Sequence, residues 1–172
     1  MNSWAKFKYH SDRALGSEAL SFYFLWENPR DKFAVINIDA YLVLNGFCSV
    51  IDGQTLLTGY DSSSLNLQAQ LSIREWWNQP PTSPLPQSDL LQSVVSLSAK
   101  GGSISGGAID GKHIFRGYDL RYNQFLVPPK GVAVFEVALT FSYKTSVGDV
   151  HVNFASEDFE VLCLGVLVAI LA

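Results

Sequence analysis

The chain has 172 residues, of which 48% are hydrophobic and 16% are charged, and its formal net charge is −4. This length suits one domain whose core needs no disulfide or metal, and the apolar content excludes a disordered chain. The scattered Lys and Arg residues form no basic face, so we expect no nucleic-acid binding. Since soluble domains average roughly 25% charged residues, the low charge indicates that another molecule, often another copy of the chain, covers part of the surface.

Apolar and polar side chains alternate with a period of two along most of the chain, which predicts β-strands. No segment shows a sustained period of 3.6 residues, and Asp89–Ser93 is compatible with one helical turn at most. In chain order, the predicted strands are Ala5–Tyr9, Ala19–Glu27, Lys32–Leu44, Phe47–Ile51, Leu65–Glu75, Val94–Ala99, His113–Tyr122 (broken at Gly117), Val132–Lys144, Val150–Ala155 and Phe159–Leu171.

Turn residues separate several of these strands. Asn28–Asp31 predicts a turn, and Asn45-Gly46 is a strong hairpin signal. Asn37 and Asp39 interrupt an otherwise apolar strand. They mark either a solvated outer face, which is the favoured interpretation, or a buried polar pair at a contact between copies.

The strand pattern predicts an all-β fold, an antiparallel β-sandwich of jelly-roll type with little or no helix, in one domain covering residues 1–172. Two sheets would bury their apolar faces together, with Leu65–Ile73 and Ala133–Tyr143 supplying core faces. Alternation does not specify strand order, so a jelly roll and an immunoglobulin-like order both remain open.

The C-terminal strand is apolar on both faces. At 12 residues, the run from 161 to 172 is too short to cross a bilayer as a helix, which takes about 20 residues. A strand that is dry on both sides is expected to be central and covered on its second face. Val161, Cys163, Leu167 and Ala169 are assigned to one face, and the other face is the predicted oligomer interface: Leu162, Leu164, Val166, Val168 and Ile170.

A loop rich in tryptophan and proline follows Leu65–Glu75. Exposed tryptophan beside proline can stack on a sugar ring or fill a pocket of a partner. Trp77 continues the dry face and Trp76 the wet one, so packing within the chain is the alternative. The predicted partner-binding residues are Trp76, Trp77, Pro80, Pro81 and Leu85.

Sequence motifs for catalysis, phosphate binding and metal binding are absent. His10, His113 and His151 are too far apart in sequence for a local metal motif, and His151 is interpreted as a solvated strand residue. Cys48 and Cys163 lie in apolar patterns and are either two buried free thiols or a disulfide between strands. We therefore expect no enzyme activity, no cofactor and no metal.

The segment Tyr122–Phe135 resembles the central part of C1q/TNF-type jelly rolls. It has an aromatic-containing strand, a Pro-x-x-Gly turn at Pro128–Gly131 and a Gly-x-x-x-Phe strand start. The resemblance implies a jelly roll that assembles through its sheet faces, as viral coat and decoration proteins also do.

These observations predict a structural subunit that associates with itself and with other particle proteins, such as a virion coat, decoration or tail component. The N-terminus lacks the apolar region of a signal peptide, so we expect synthesis in the cytoplasm and incorporation into virions. The alternative is a ligand- or carbohydrate-binding sandwich that uses Trp76 and Trp77.

Overall fold

The computed structural model describes residues 3–12, 15–53, 62–76, 85–100, 108–145 and 148–171, and of residues 75, 76 and 85–89 the backbone alone. Every regular element in these ranges is a β-strand, so the predicted all-β class is confirmed. The strands are β1 (Ser3–Ala5), β2 (Phe7–Ser11), β3 (Leu15–Glu27), β4 (Ala34–Asp52), β5 (Ser62–Trp76), β6 (Leu85–Lys100), β7 (Ile109–Val127), β8 (Val132–Lys144), β9 (Gly148–Phe154) and β10 (Glu160–Ile170).

The strands form two antiparallel sheets. In the first sheet, the long strand β4 pairs with β7 along one edge. Along its other edge lie β10 and β9, end to end, and beyond them β1 and β2. The second sheet has the order β3-β8-β5-β6. The short strands β1 and β2 together take the place of one long strand, and so do β9 and β10. Each sheet of the sandwich therefore has four strand positions.

The pairing of these eight positions is nested. The first position (β1 and β2) pairs with the last (β10 and β9), β3 pairs with β8, β4 with β7, and β5 with β6. A long antiparallel ribbon rolled into two sheets gives this nesting, which is the jelly-roll order. Strand order therefore decides between the two topologies that the sequence left open.

The core lies between the two sheets and follows the predicted alternation. The inner residues of Leu65–Ile73 and of Ala133–Tyr143 are at most 3% exposed. Both predicted core faces are confirmed. Phe135, Phe141 and Phe154 are the largest side chains that are fully buried in it.

The hairpin predicted at Asn45-Gly46 is wrong, because β4 runs through both residues without a turn. A side chain at Gly46 would meet the Phe154 ring at 2.3 Å and the Asn153 carbonyl oxygen at 2.6 Å. Glycine here permits close packing of neighbouring strands, which is its other common role in a strand.

Two further predictions need correction. The helical turn at Asp89–Ser93 is part of strand β6, which pairs with β5 in register. The weak strand His113–Tyr122 is the middle of β7, which continues through Gly117. The Tyr41 side chain lies over Gly117, where a Cβ atom would collide with the Tyr41 hydroxyl.

Among the described residues, no helix is long and apolar enough to cross a membrane.

The two cysteines are buried free thiols. Burial raises the pKa of Cys48 to about 12, and burial also raises the pKa of Cys163. A thiol whose pKa is raised carries little thiolate at pH 8, and thiolate is the reactive form.

We therefore expect Ellman's reagent to leave both thiols unreacted at pH 8 in the folded protein. In urea at about 8 M, which lowers the free energy of unfolding enough to denature the protein, both thiols should react fully. Rapid reaction of one thiol in the folded state would contradict the buried positions of Cys48 and Cys163.

Candidate assembly interface

The C-terminal strand β10 has different neighbours along its length. From Glu160 to Cys163 it lies between β4 and β1, and the last pair with β1 is Ser3 opposite Cys163. From Leu164 to Ile170 it keeps β4 on one side, and no described strand covers the other. The strand is therefore central for its first part and an edge for the rest.

A β-bulge divides these two parts. Cys163 pairs with Leu42 and Val166 pairs with Ala40, so Leu164 and Gly165 together lie opposite Tyr41. Gly165 has φ 112°, a backbone conformation that only glycine adopts readily.

The bulge exchanges the two faces of the strand, because one extra residue reverses the alternation. Val161 and Cys163 are fully buried before the bulge, whereas Val166, Val168 and Ile170 pack against the core after it. The predicted grouping of Leu162 and Leu164 with Val166, Val168 and Ile170 on one face is therefore wrong. Leu167 and Ala169 face outward instead of inward.

The outer face of the first sheet carries an apolar patch around the bulge. Leu162 has Val43 and Trp4 as its cross-strand partners. Trp4 and Leu167 are about two-thirds exposed, at 64% and 65%. We call this surface the outer patch, and its members are Trp4, Tyr41, Val43, Leu162, Leu164 and Leu167.

Polar groups border the outer patch. Asp39 forms an ion pair with Arg121 at 3.3 Å, and Asn37 Oδ1 accepts a hydrogen bond from the backbone N–H of Gln124. Asn37 and Asp39 are half-buried on the outer face, so the favoured interpretation of an outer, solvated position is confirmed. An apolar centre with a polar rim is typical of a contact surface between proteins.

A groove opens between the free edges of the two sheets. The edge of β10 beyond Cys163 faces β3, whose inward residues Phe24 and Trp26 are only partly buried. Two depressions of about 500 and 340 Å³ lie here and share Phe24 and Val166. The smaller one is lined by Phe24, Leu25, Trp26, Phe135, Val166 and Val168.

The backbone of β10 shows which groups point to the free edge. The N–H of Leu171 donates to the carbonyl of Val35 at 2.8 Å. Since N–H and C=O groups alternate between the two edges of an antiparallel strand, Leu167 and Ala169 also bond to β4. Val166, Val168 and Ile170 therefore direct their backbone groups to the open edge.

The predicted partner-binding loop is described only at its ends. Trp76 is the last residue of β5 and Leu85 the first of β6, each by its backbone alone. Trp77, Pro80 and Pro81 lie outside the described residues, as does the predicted loop 101–107. The binding role of this loop stays a prediction.

Fold and surface together define a jelly-roll β-sandwich with an apolar patch and, at β10, an edge that no strand of the described residues covers. No family model matches the chain, and no curated protein does. Among solved structures, the chain is similar to a chain in a structure of infectious bursal disease virus Gx strain, with 12% identity and a TM-score of 0.24. The match covers 99% of this chain and 37% of that chain.

Sequence reasoning found most of the apolar residues of β10 but missed Trp4, Tyr41 and Gly165. Gly165 is an isolated glycine in a strand pattern, which is a known signal of a bulge. The contributions of Trp4 and Tyr41 follow from cross-strand pairing between distant segments, which the local pattern does not contain.

Replacing Gly165 by alanine should lower the free energy of unfolding by about 1–3 kcal/mol, because a Cβ atom strains this backbone conformation. Leu164→Ala is the matched control, since it changes the other bulge residue without altering φ, and it should cost less. Urea unfolding measures both. Equal stability of Gly165→Ala and the unchanged protein would contradict the bulge geometry.

Proposed function

We propose that the protein is a non-enzymatic structural subunit that self-associates through β10 to build a particle, such as the coat, decoration or tail of a virion. The observation that carries the proposal is the part of β10 after Glu160, which has no charged residue, is apolar on its outer face and has one edge that no described strand covers. Jelly rolls occur in viral capsid proteins, where the sandwich serves as a building block. Synthesis in the cytoplasm followed by incorporation into virions fits this role.

The outer patch supports a contact between proteins. Monomeric soluble proteins rarely expose a large contiguous apolar surface. Such a surface with a polar border therefore commonly marks an interaction site. Trp4 and Tyr41 are aromatic anchors of the kind that dominate interface energetics. Leu167 lines the same depression as Tyr41 and is mostly exposed.

The open edge supports a strand as the contacting element. Natural edge strands carry charged residues, prolines or bulges that prevent pairing with another chain. Between Val161 and Leu171 there is no charge and no proline, and the one bulge lies before the regular segment Val166–Ile170.

A second copy is the occupant that fits the edge and the part of the outer patch next to it. Two β10 strands can pair antiparallel around a two-fold axis, so that the edge groups of Val166, Val168 and Ile170 bond to the same groups of the other copy. This contact is self-complementary and closes on itself. It also extends the first sheets of both copies into one sheet and places apolar side chains over the groove beside Phe24.

Leu167→Lys should weaken self-association at least about tenfold, because it places a charge in an apolar contact. Sedimentation velocity and light scattering across micromolar concentrations measure the association constant. Leu91→Lys is the matched control, since Leu91 is 52% exposed on the other sheet and should leave association unchanged. A protein that stays monomeric at these concentrations would contradict the proposal.

Val168→Pro tests the edge separately from the outer patch. Proline removes the N–H that points to the open edge while leaving the bonds of Leu167 and Ala169 to β4 in place. We expect a folded monomer. Val168→Thr keeps the shape and the N–H, so it should still associate.

Amide hydrogen exchange is a second measurement of the same contact. The amides of Val166, Val168 and Ile170 should be protected in the assembled protein, and those of Val166 and Ile170 should exchange freely in Val168→Pro. Unchanged association of Val168→Pro would exclude strand pairing at this edge and leave only the outer patch as the interface.

A further inference from the structure

Three potential metal ligands meet on the outer face of the first sheet, at the end formed by β2 and β9. His10 and His151 are directly opposite each other on these antiparallel strands. Asp149 lies two residues before His151 and therefore projects from the same face of β9. His10 and His151 are far apart in sequence, which argued against a metal motif, but strand pairing brings them together.

The ligand atoms are close together. The imidazole rings of His10 and His151 are stacked, with centroids 4.5 Å apart and planes inclined by 24°. The Nε2 atom of His10 is 3.3 Å from Oδ1 of Asp149. One ligand atom from each of the three residues lies within 4.8 Å of the other two.

These distances suit a small divalent ion. Zinc binds imidazole nitrogen and carboxylate oxygen at about 2.0–2.2 Å in tetrahedral geometry, which places two ligand atoms roughly 3.3–3.5 Å apart. His10 and Asp149 already have this separation, and side-chain rotation closes the remaining distances. Because β2 and β9 are paired strands, the three Cα positions are held before any ion binds.

Neutral imidazole is the form that binds metal. Burial and the neighbouring His10 lower the pKa of His151, and Lys8 acts in the same direction, whereas Asp149 opposes the shift. Asp149 supplies a negative charge that offsets part of the charge of the ion.

We propose that His10, Asp149 and His151 form a binding site for a divalent transition-metal ion such as zinc, which ties β2 to β9. Two histidines and one carboxylate provide three ligands and leave a fourth position for water or for a group from another molecule. Bound metal stabilises the folded protein, because the unfolded chain does not hold these ligands together.

Calorimetric titration of the tag-free, chelator-treated protein with zinc chloride tests the site. We expect one equivalent of zinc to bind and to raise the melting temperature. His10→Ala and His151→Ala should each weaken binding at least about tenfold. His113→Ala is the matched control, since His113 lies apart beside Phe47 and Phe159, and should bind zinc normally.

Asp149→Asn and cobalt provide independent checks. Asp149→Asn keeps the side-chain shape and should weaken zinc binding, while its melting temperature without metal stays close to that of the unchanged protein. Cobalt in the site should show the strong visible absorption of a low-coordinate ion, and this absorption should be lost in His10→Ala. Absence of saturable zinc binding, or undiminished binding by both histidine variants, would overturn the proposal.

Discussion

The central strand β4 is the constraint on which the rest of the sandwich depends. Its 19 residues are paired along one edge with β7, and along the other edge with β10 and then β9. Its inward residues from Ala34 to Leu44 are almost fully buried, so a slip of one residue would turn this apolar set to the solvent. Because three strands take their register from β4, the open edge of β10 and the meeting of β2 with β9 both follow from its position.

Local pattern predicted most of the strands and their inner faces, since alternation reports directly which side of a strand is dry. The local pattern did not predict the structural role of the glycines. Gly46, Gly117 and Gly165 look alike in the sequence, yet two of them admit a neighbouring side chain and one forms a bulge. A glycine signals only that the backbone needs space or unusual torsion angles, and the neighbours that decide between these roles come from distant segments.

The apolar residues of the candidate interface could be predicted from the sequence, but the edge and the bulge that arrange them could not. The apolar residues of β10 predict a covered strand, whereas the edge beyond Cys163 depends on how β10 pairs with β4 and β1, and the last described pair with β1 is Ser3 opposite Cys163. The bulge at Gly165 then sends Val166, Val168 and Ile170 inward and Leu167 outward. The pairing of His10 with His151 is non-local in the same way. The uncovered edge and the histidine pair are not visible in the spacing of residues along the chain.

A single turn separates the two surfaces on the first sheet. Residues between β9 and β10 leave the sheet, and Asn153 holds this turn by accepting hydrogen bonds from the N–H groups of Ala155 and Ser156. Asn45 of β4 donates to the carbonyl of Asp158 on the other side of the turn. On β9 the outward residues Asp149, His151 and Asn153 are polar, and on β10 the outward residues after Glu160 are apolar. A metal ion that ties β2 to β9 would therefore act on a different part of the sheet from the proposed contact between copies. Because β1 lies directly before β2 in the chain and at the same edge of the sheet, the same ion would also restrain the strand that carries Trp4 into the outer patch.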